Sequence, residues 1–217
     1  MTKLNYALLF TAAVAFAQEP AATPAASSTP SRSIRISFVP PPLEGTISLG
    51  IYDENDQLVR VLHQEASFDD FTAGPDALVT KWDGKDDFGY ELWPGTYHAR
   101  GFLVAPMKVQ EITAEATPAP EQQAVKVRLM ANPLEKSERP TIQLMGGIDD
   151  EDVLLKTVDG LPLLTMTQAP GVKRVSVAPG ENGGVTVHIE TDATSRRFSI
   201  AGVNRMMAFD CGEFELR

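Results

Sequence analysis

Apolar residues recur at every second position in short runs closed by turn residues, and no stretch carries the three-to-four spacing of a helical stripe. Successive side chains of a strand leave opposite faces, so this period predicts strands with one face on a core. Ile34, Ile36 and Phe38 alternate with Arg35 and Ser37 and stop at Pro40-Pro41-Pro42. In 46–52, Ile47, Leu49 and Ile51 share a face, and Asp53 to Asp56 reads as a turn. The segment 57–63 is apolar on both faces through Leu58, Val59, Val61 and Leu62, which predicts a central strand. Strands follow at 77–82, 97–104 and 125–129, and after Pro140 the alternation resumes through Ile142 and Leu144, 153–158, Val172 to Val177, Val185 to Ile189, and Phe198 with Ile200. Turns are expected at Gly146-Gly147, Asp159-Gly160, Pro170-Gly171, Pro179-Gly180 and Gly183-Gly184. Short strands every ~8–12 residues predict an all-β chain: an immunoglobulin-like or fibronectin-like β-sandwich, then a second small β-domain, sandwich-like or blade-like.

The chain divides by composition. MTKLNYALLFTAAVAFA, residues 1–17, has an early Lys3, an apolar run from Ala7 to Phe16 and small residues at Ala15 and Ala17. That is the layout of a cleavable secretory signal peptide, cut after Ala17, and it is shorter than a membrane span. Residues 18–32, QEPAATPAASSTPSR, form a Pro/Ala/Ser/Thr-rich linker with too little apolar surface to repay its own ordering. The first sandwich is expected at 33–130, a polar linker bracketed by Pro at 131–140, and the second β-domain at 141–217; 114–123 reads as a loop. The expected location is outside the cytoplasm, in the periplasm, the extracellular space or at the cell surface, with no membrane span after cleavage.

Charge and cysteine usage narrow the partners. The net charge is −10, and loss of Lys3 takes it to −11, a balance that repels nucleic acid. Cys211 is the sole cysteine, so no intrachain disulfide forms. No Lys, Arg or His lies within 209–214 to lower its thiol pKa, and it reads as a small buried hydrophobe, the alternative being an intermolecular bridge.

The densest stretch is WDGKDDFGYELWPGTYHAR, residues 82–100. Asp83-Gly84 and Phe88-Gly89 supply positions for left-handed backbone, and Pro94-Gly95 has the composition of a type II turn entering a strand. Trp82 and Tyr97 are placed to seal a core, leaving Tyr90 and Trp93 on the loop as candidate contacts for a ligand or partner. Asp86 and Asp87 with Asp83, and Asp149, Asp150 and Asp152 with Glu151, are weak Ca²⁺ candidates; neither group has the alternate spacing of a calcium loop, and carboxylates in turns bond the turn's own amides. His63, His98 and His188 lack a second histidine at ligand spacing and read as structural. No nucleophile elbow, phosphate loop or nearby Cys–His pair occurs. The expectation is no enzyme and no cofactor.

These residues also carry a resemblance. IYDENDQLVRVL followed by the 82–100 stretch is similar to the signature of FlgD-type immunoglobulin-like domains, named for the flagellar hook-capping protein, whose pattern runs from "IYD…G..VR.L" to "W.G.D..G…PPGTY..R". Trp82, Gly84, Asp87, Gly89, Pro94, Gly95, Thr96, Tyr97 and Arg100 fall on it, over about residues 33–104. Asn55-Asp56 replaces the usual glycine, which a type I′ turn tolerates, and Trp93 stands where a second Pro is common. The resemblance implies a small β-sandwich serving as a non-catalytic module in secreted or surface proteins of bacteria. The half after Pro140 is similar to blade-like repeats, but about 77 residues supply two blades at most and a propeller closes with four or more. The function expected is a non-catalytic exported structural or adhesion module that contacts a protein partner or a cell-surface assembly; the alternative is a carbohydrate-binding accessory module using the aromatic loop.

Overall fold

Fifteen strands organise the computed structural model, which describes residues 32–112, 124–135 and 139–217. They are β1 (Ile34–Phe38), β2 (Thr46–Tyr52), β3 (Leu58–Ala66), β4 (Thr72–Ala73), β5 (Leu78–Trp82), β6 (Gly95–Val104), β7 (Lys108–Ile112), β8 (Val125–Arg128), β9 (Thr141–Asp149), β10 (Asp152–Thr157), β11 (Pro162–Gln168), β12 (Val172–Pro179), β13 (Val185–Thr191), β14 (Ser195–Ala201) and β15 (Met206–Leu216). Every pairing is antiparallel, in sheets ordered β1-β5-β4, β15-β6-β2-β3, β12-β13-β14-β7 and β11-β10-β9-β8. The fold is therefore all-β and sandwich-like. The expected signal peptide, the linker up to residue 31 and the loop at 114–123 lie outside the described residues. Among the described residues no helix is long and apolar enough to cross a membrane.

The sheet β15-β6-β2-β3 lies between two cores. Ile47, Leu49, Ile51, Ala99 and Leu103 point into the first, with Ile36, Phe38, Trp82, Tyr97, Phe209 and Leu216. Phe102, Val104, Met206 and Ala208 leave the opposite face and enter the second, which β8 to β14 complete. Double coverage explains why β2 is buried along its whole length from Ile47, Ser48 and Tyr52 included, instead of on one face as its alternation suggested. It also corrects the position expected for 57–63. β3 is at the edge of its sheet, and it is apolar on both sides because Val59 and Leu62 pack on the first core while Leu58 and Val61 pack on the second.

Strand pairing crosses the expected 131–140 linker in both directions. β7 pairs with β14 and β8 with β9, while β15 returns to β6 from Met206↔Val104 to Leu216↔Gly95. The polar run that suggested a boundary is pinned to β15: the Asn132 side-chain amide donates to the Ala208 carbonyl at 3.1 Å and the Arg139 guanidinium to the Phe209 carbonyl at 2.8 Å. Gly146-Gly147 is no turn but the middle of β9. A Cβ on Gly146 would run into the Val175 side chain of β12, and one on Gly147 into Lys156, so these glycines permit close approach of a facing sheet and a neighbouring strand. β7 and β11 were not legible. β7 is exposed along most of its length and carries no alternation of burial.

Candidate functional site: the aromatic loop

Two hairpin turns share one hydrogen-bond plan. At the β2–β3 turn, Asp53 Oδ1 accepts from the Asn55 and Gln57 amides, each at 2.9 Å, and Asp56 sits in left-handed backbone at φ 61°. In the loop between β5 and β6, Asp86 Oδ1 accepts from the Phe88 amide at 2.9 Å and the Tyr90 amide at 2.8 Å, and Gly89 has φ 83°. Each turn is closed by the same main-chain pair, Asp53–Gln57 at 3.0 Å and Asp86–Tyr90 at 3.0 Å. The first turn is thus not type I′, because Asp56 but not Asn55 has positive φ. Gly95 likewise lacks positive φ, so it opens β6 and does not complete a type II turn at Pro94-Gly95.

The legs of the loop are fastened to the core. Leu92 donates to Gly84 at 3.0 Å, and Lys85 bridges Glu91 in the antiparallel sense. Trp82, 1% exposed, donates its indole N–H to the Lys85 carbonyl at 2.9 Å and packs edge-on to Tyr97 at 5.3 Å between centroids. The Tyr97 hydroxyl donates to the Trp93 carbonyl at 2.9 Å. Gly84, at φ 78°, leaves room for Leu216. Arg100 reaches Asp56 at 2.8 Å with its guanidinium 3.9 Å above the Tyr52 ring, joining the two halves of the motif. Trp82, Gly84, Gly89 and Tyr97 therefore build and brace the loop, and Arg100 braces the β2–β3 turn.

What the braced loop presents is aromatic. Phe88 is 86% exposed, Tyr90 71% and Trp93 85%. Tyr90 and Trp93 were expected there; Phe88 was missed because its place before Gly89 read only as turn chemistry. A backbone held by side-chain-to-amide bonds loses little freedom when these rings meet a partner, which lowers the entropic cost of contact.

The carboxylates have other work. Asp86 is committed to the turn amides, and Asp87 Oδ1 accepts the Val61 amide of β3 at 2.9 Å with Arg60 Nε 3.8 Å away. Asp149, Asp150 and Asp152 surround the exposed β9–β10 turn, where Asp150 has φ 49°. Among the described residues no group of three or more His, Cys, Asp or Glu side chains converges as metal ligands would.

The histidines are dispersed over β3, β6 and β13. His63 Nε2 lies 2.7 Å from Thr80 Oγ1 with its ring 4.4 Å from Phe71, and burial holds its pKa below the usual value. His98 stacks on Tyr52 and meets Asp56 at 3.2 Å. His188 is buried, and desolvation followed by Arg197 lowers its pKa. Cys211 packs on the first core at a bulge of β15; burial, then Asp210 and Glu135, push its thiol far above the ordinary range, which opposes thiolate formation. Comparison with protein-family models, curated proteins and solved structures finds no match to this chain.

Proposed function

We propose that the chain is a non-catalytic, exported structural or adhesion module that engages a partner at the cell surface through the aromatic loop. The observation that carries this reading is the trio of outward rings, Phe88, Tyr90 and Trp93, on a loop locked by Asp86, Trp82 and Tyr97. Exposed Trp and Tyr are the residue types that dominate binding energy when desolvated, each burying ~150–250 Å². The FlgD-type resemblance supports a module of this kind, as does the leader-like start for export.

A second reading is a carbohydrate-binding accessory module. Lys85 and Glu91 flank the rings and offer polar contacts to hydroxyls beside faces that stack on sugar C–H groups. Cosedimentation with the envelope fraction of the producing cells tests both. Wild type is expected to sediment with the fraction, and a Phe88→Ser/Tyr90→Ser/Trp93→Ser variant of unchanged thermal midpoint to stay in the supernatant. Protease treatment of the fraction abolishes binding if the partner is protein; glycosidase treatment abolishes it if the partner is glycan. Equal sedimentation of variant and wild type would sink both.

A further inference from the structure

β8 ends its sheet, paired only with β9. The Leu129 amide donates to Pro140 at 2.9 Å, and the alternation of an antiparallel ladder then turns Val125 and Val127 toward β9. The amides and carbonyls of Lys126 and Arg128 consequently face the open side, with no partner among the described residues, and the open stretch ends where the Met130 amide donates to Met206 at 3.0 Å. Two other edges carry a carboxylate at one amide each: Asp87 accepts the Val61 amide of β3 at 2.9 Å, and Glu65 the Thr165 amide of β11 at 2.7 Å. The β8 edge has no such carboxylate among the described residues and instead borders a groove of about 550 Å³, lined beyond β8 by Pro179, Gly180, Gly183, Gly184 and Asn204. Three glycines there put no side chains in the way of an incoming backbone.

The side chains along β8 say what that backbone should carry. Val125 and Val127 turn into the second core, while Lys126 and Arg128 are exposed on the opposite face. A strand laid beside β8 therefore meets apolar neighbours on one face and two cations on the other. Two copies joined β8 to β8 would bring these cations together, which disfavours self-pairing. We propose that β8 is a strand-addition site that takes, as a fifth strand of β11-β10-β9-β8, an extended segment of a partner protein with alternating apolar and acidic residues. The surface uses none of the aromatic-loop residues, so it stands independently of the function proposed above.

The test is amide hydrogen exchange by NMR on the full chain, with and without a short peptide alternating valine and glutamate. Saturating peptide is expected to slow exchange at Lys126 and Arg128 by at least tenfold. The double charge reversal Lys126→Glu/Arg128→Glu, both exposed, should weaken affinity about tenfold and confer binding of the matching valine–lysine peptide. The proposal is overturned by unprotected amides at saturation, by equal affinity of wild type for the lysine peptide, or by amides already protected in the free chain. Concentration-dependent protection without peptide would assign the edge to a second copy and overturn it too.

Discussion

Arg100 of β6 and Asp56 of the β2–β3 turn, 44 residues apart, meet at 2.8 Å. The bond holds a left-handed residue in place at one end while the guanidinium covers the Tyr52 ring at the other. Arg100→Ala should cost about 2 kcal/mol, from the lost cation–π contact and packing with a small share from the exposed pair. Urea denaturation measures it; a change within noise would show that the contact is ornamental.

The same pair predicts acid sensitivity. Arg100 holds the Asp56 carboxyl below the usual range. A depressed folded pKa adds stability above the unfolded value near ~3.9 and loses it as pH falls through the folded one. Wild type is expected to lose more stability than Asp56→Asn between neutral pH and about pH 3, compared by denaturation midpoints.

His63 and His188 act at higher pH. Burial lowers both pKa values, so the unfolded chain binds these protons first, near pH ~6.5. Their contribution is complete above that pH and declines as pH falls toward the folded values. The His63→Gln/His188→Gln variant should show a flatter urea midpoint between about pH 7 and pH 5 than wild type; parallel curves would exclude the effect.

The two tryptophans should behave as opposites. Trp82, almost fully buried, is expected to cost about 3–5 kcal/mol as Trp82→Ala, whereas Trp93→Ala should stay within about 0.5 kcal/mol. Thermal unfolding of both variants decides, and a destabilised Trp93→Ala would make that ring part of the fold.

Gly146 tests the close approach of β9 and β12. Gly146→Ala is expected to destabilise by about 1–3 kcal/mol through contact with Val175, and Val175→Ala in the same chain to recover part of that loss. Simple additivity in the double variant would place the cost elsewhere.

Local physics made much of this legible. Period-two alternation marked most of the strands, since burial of one face leaves its imprint on neighbouring residues, and Asp and Gly marked the turns because only certain residues accept left-handed backbone or bond their own amides. Trp82 and Tyr97 were read as core and Tyr90 and Trp93 as surface from alternation alone. What lies far apart in the chain was not legible. That β15 returns to β6 and splits Met206 and Ala208 from Phe209 and Leu216 between two cores depends on pairing across about a hundred residues, which no local pattern encodes. Gly146-Gly147 misread for the same reason: glycine for a turn and glycine for a close sheet look alike until the facing side chain is known. Tertiary structure alone decided that β3, apolar on both sides, lies at an edge between two cores, that Asp87 reaches the Val61 amide of β3, and that the β8 edge lies open beside a groove.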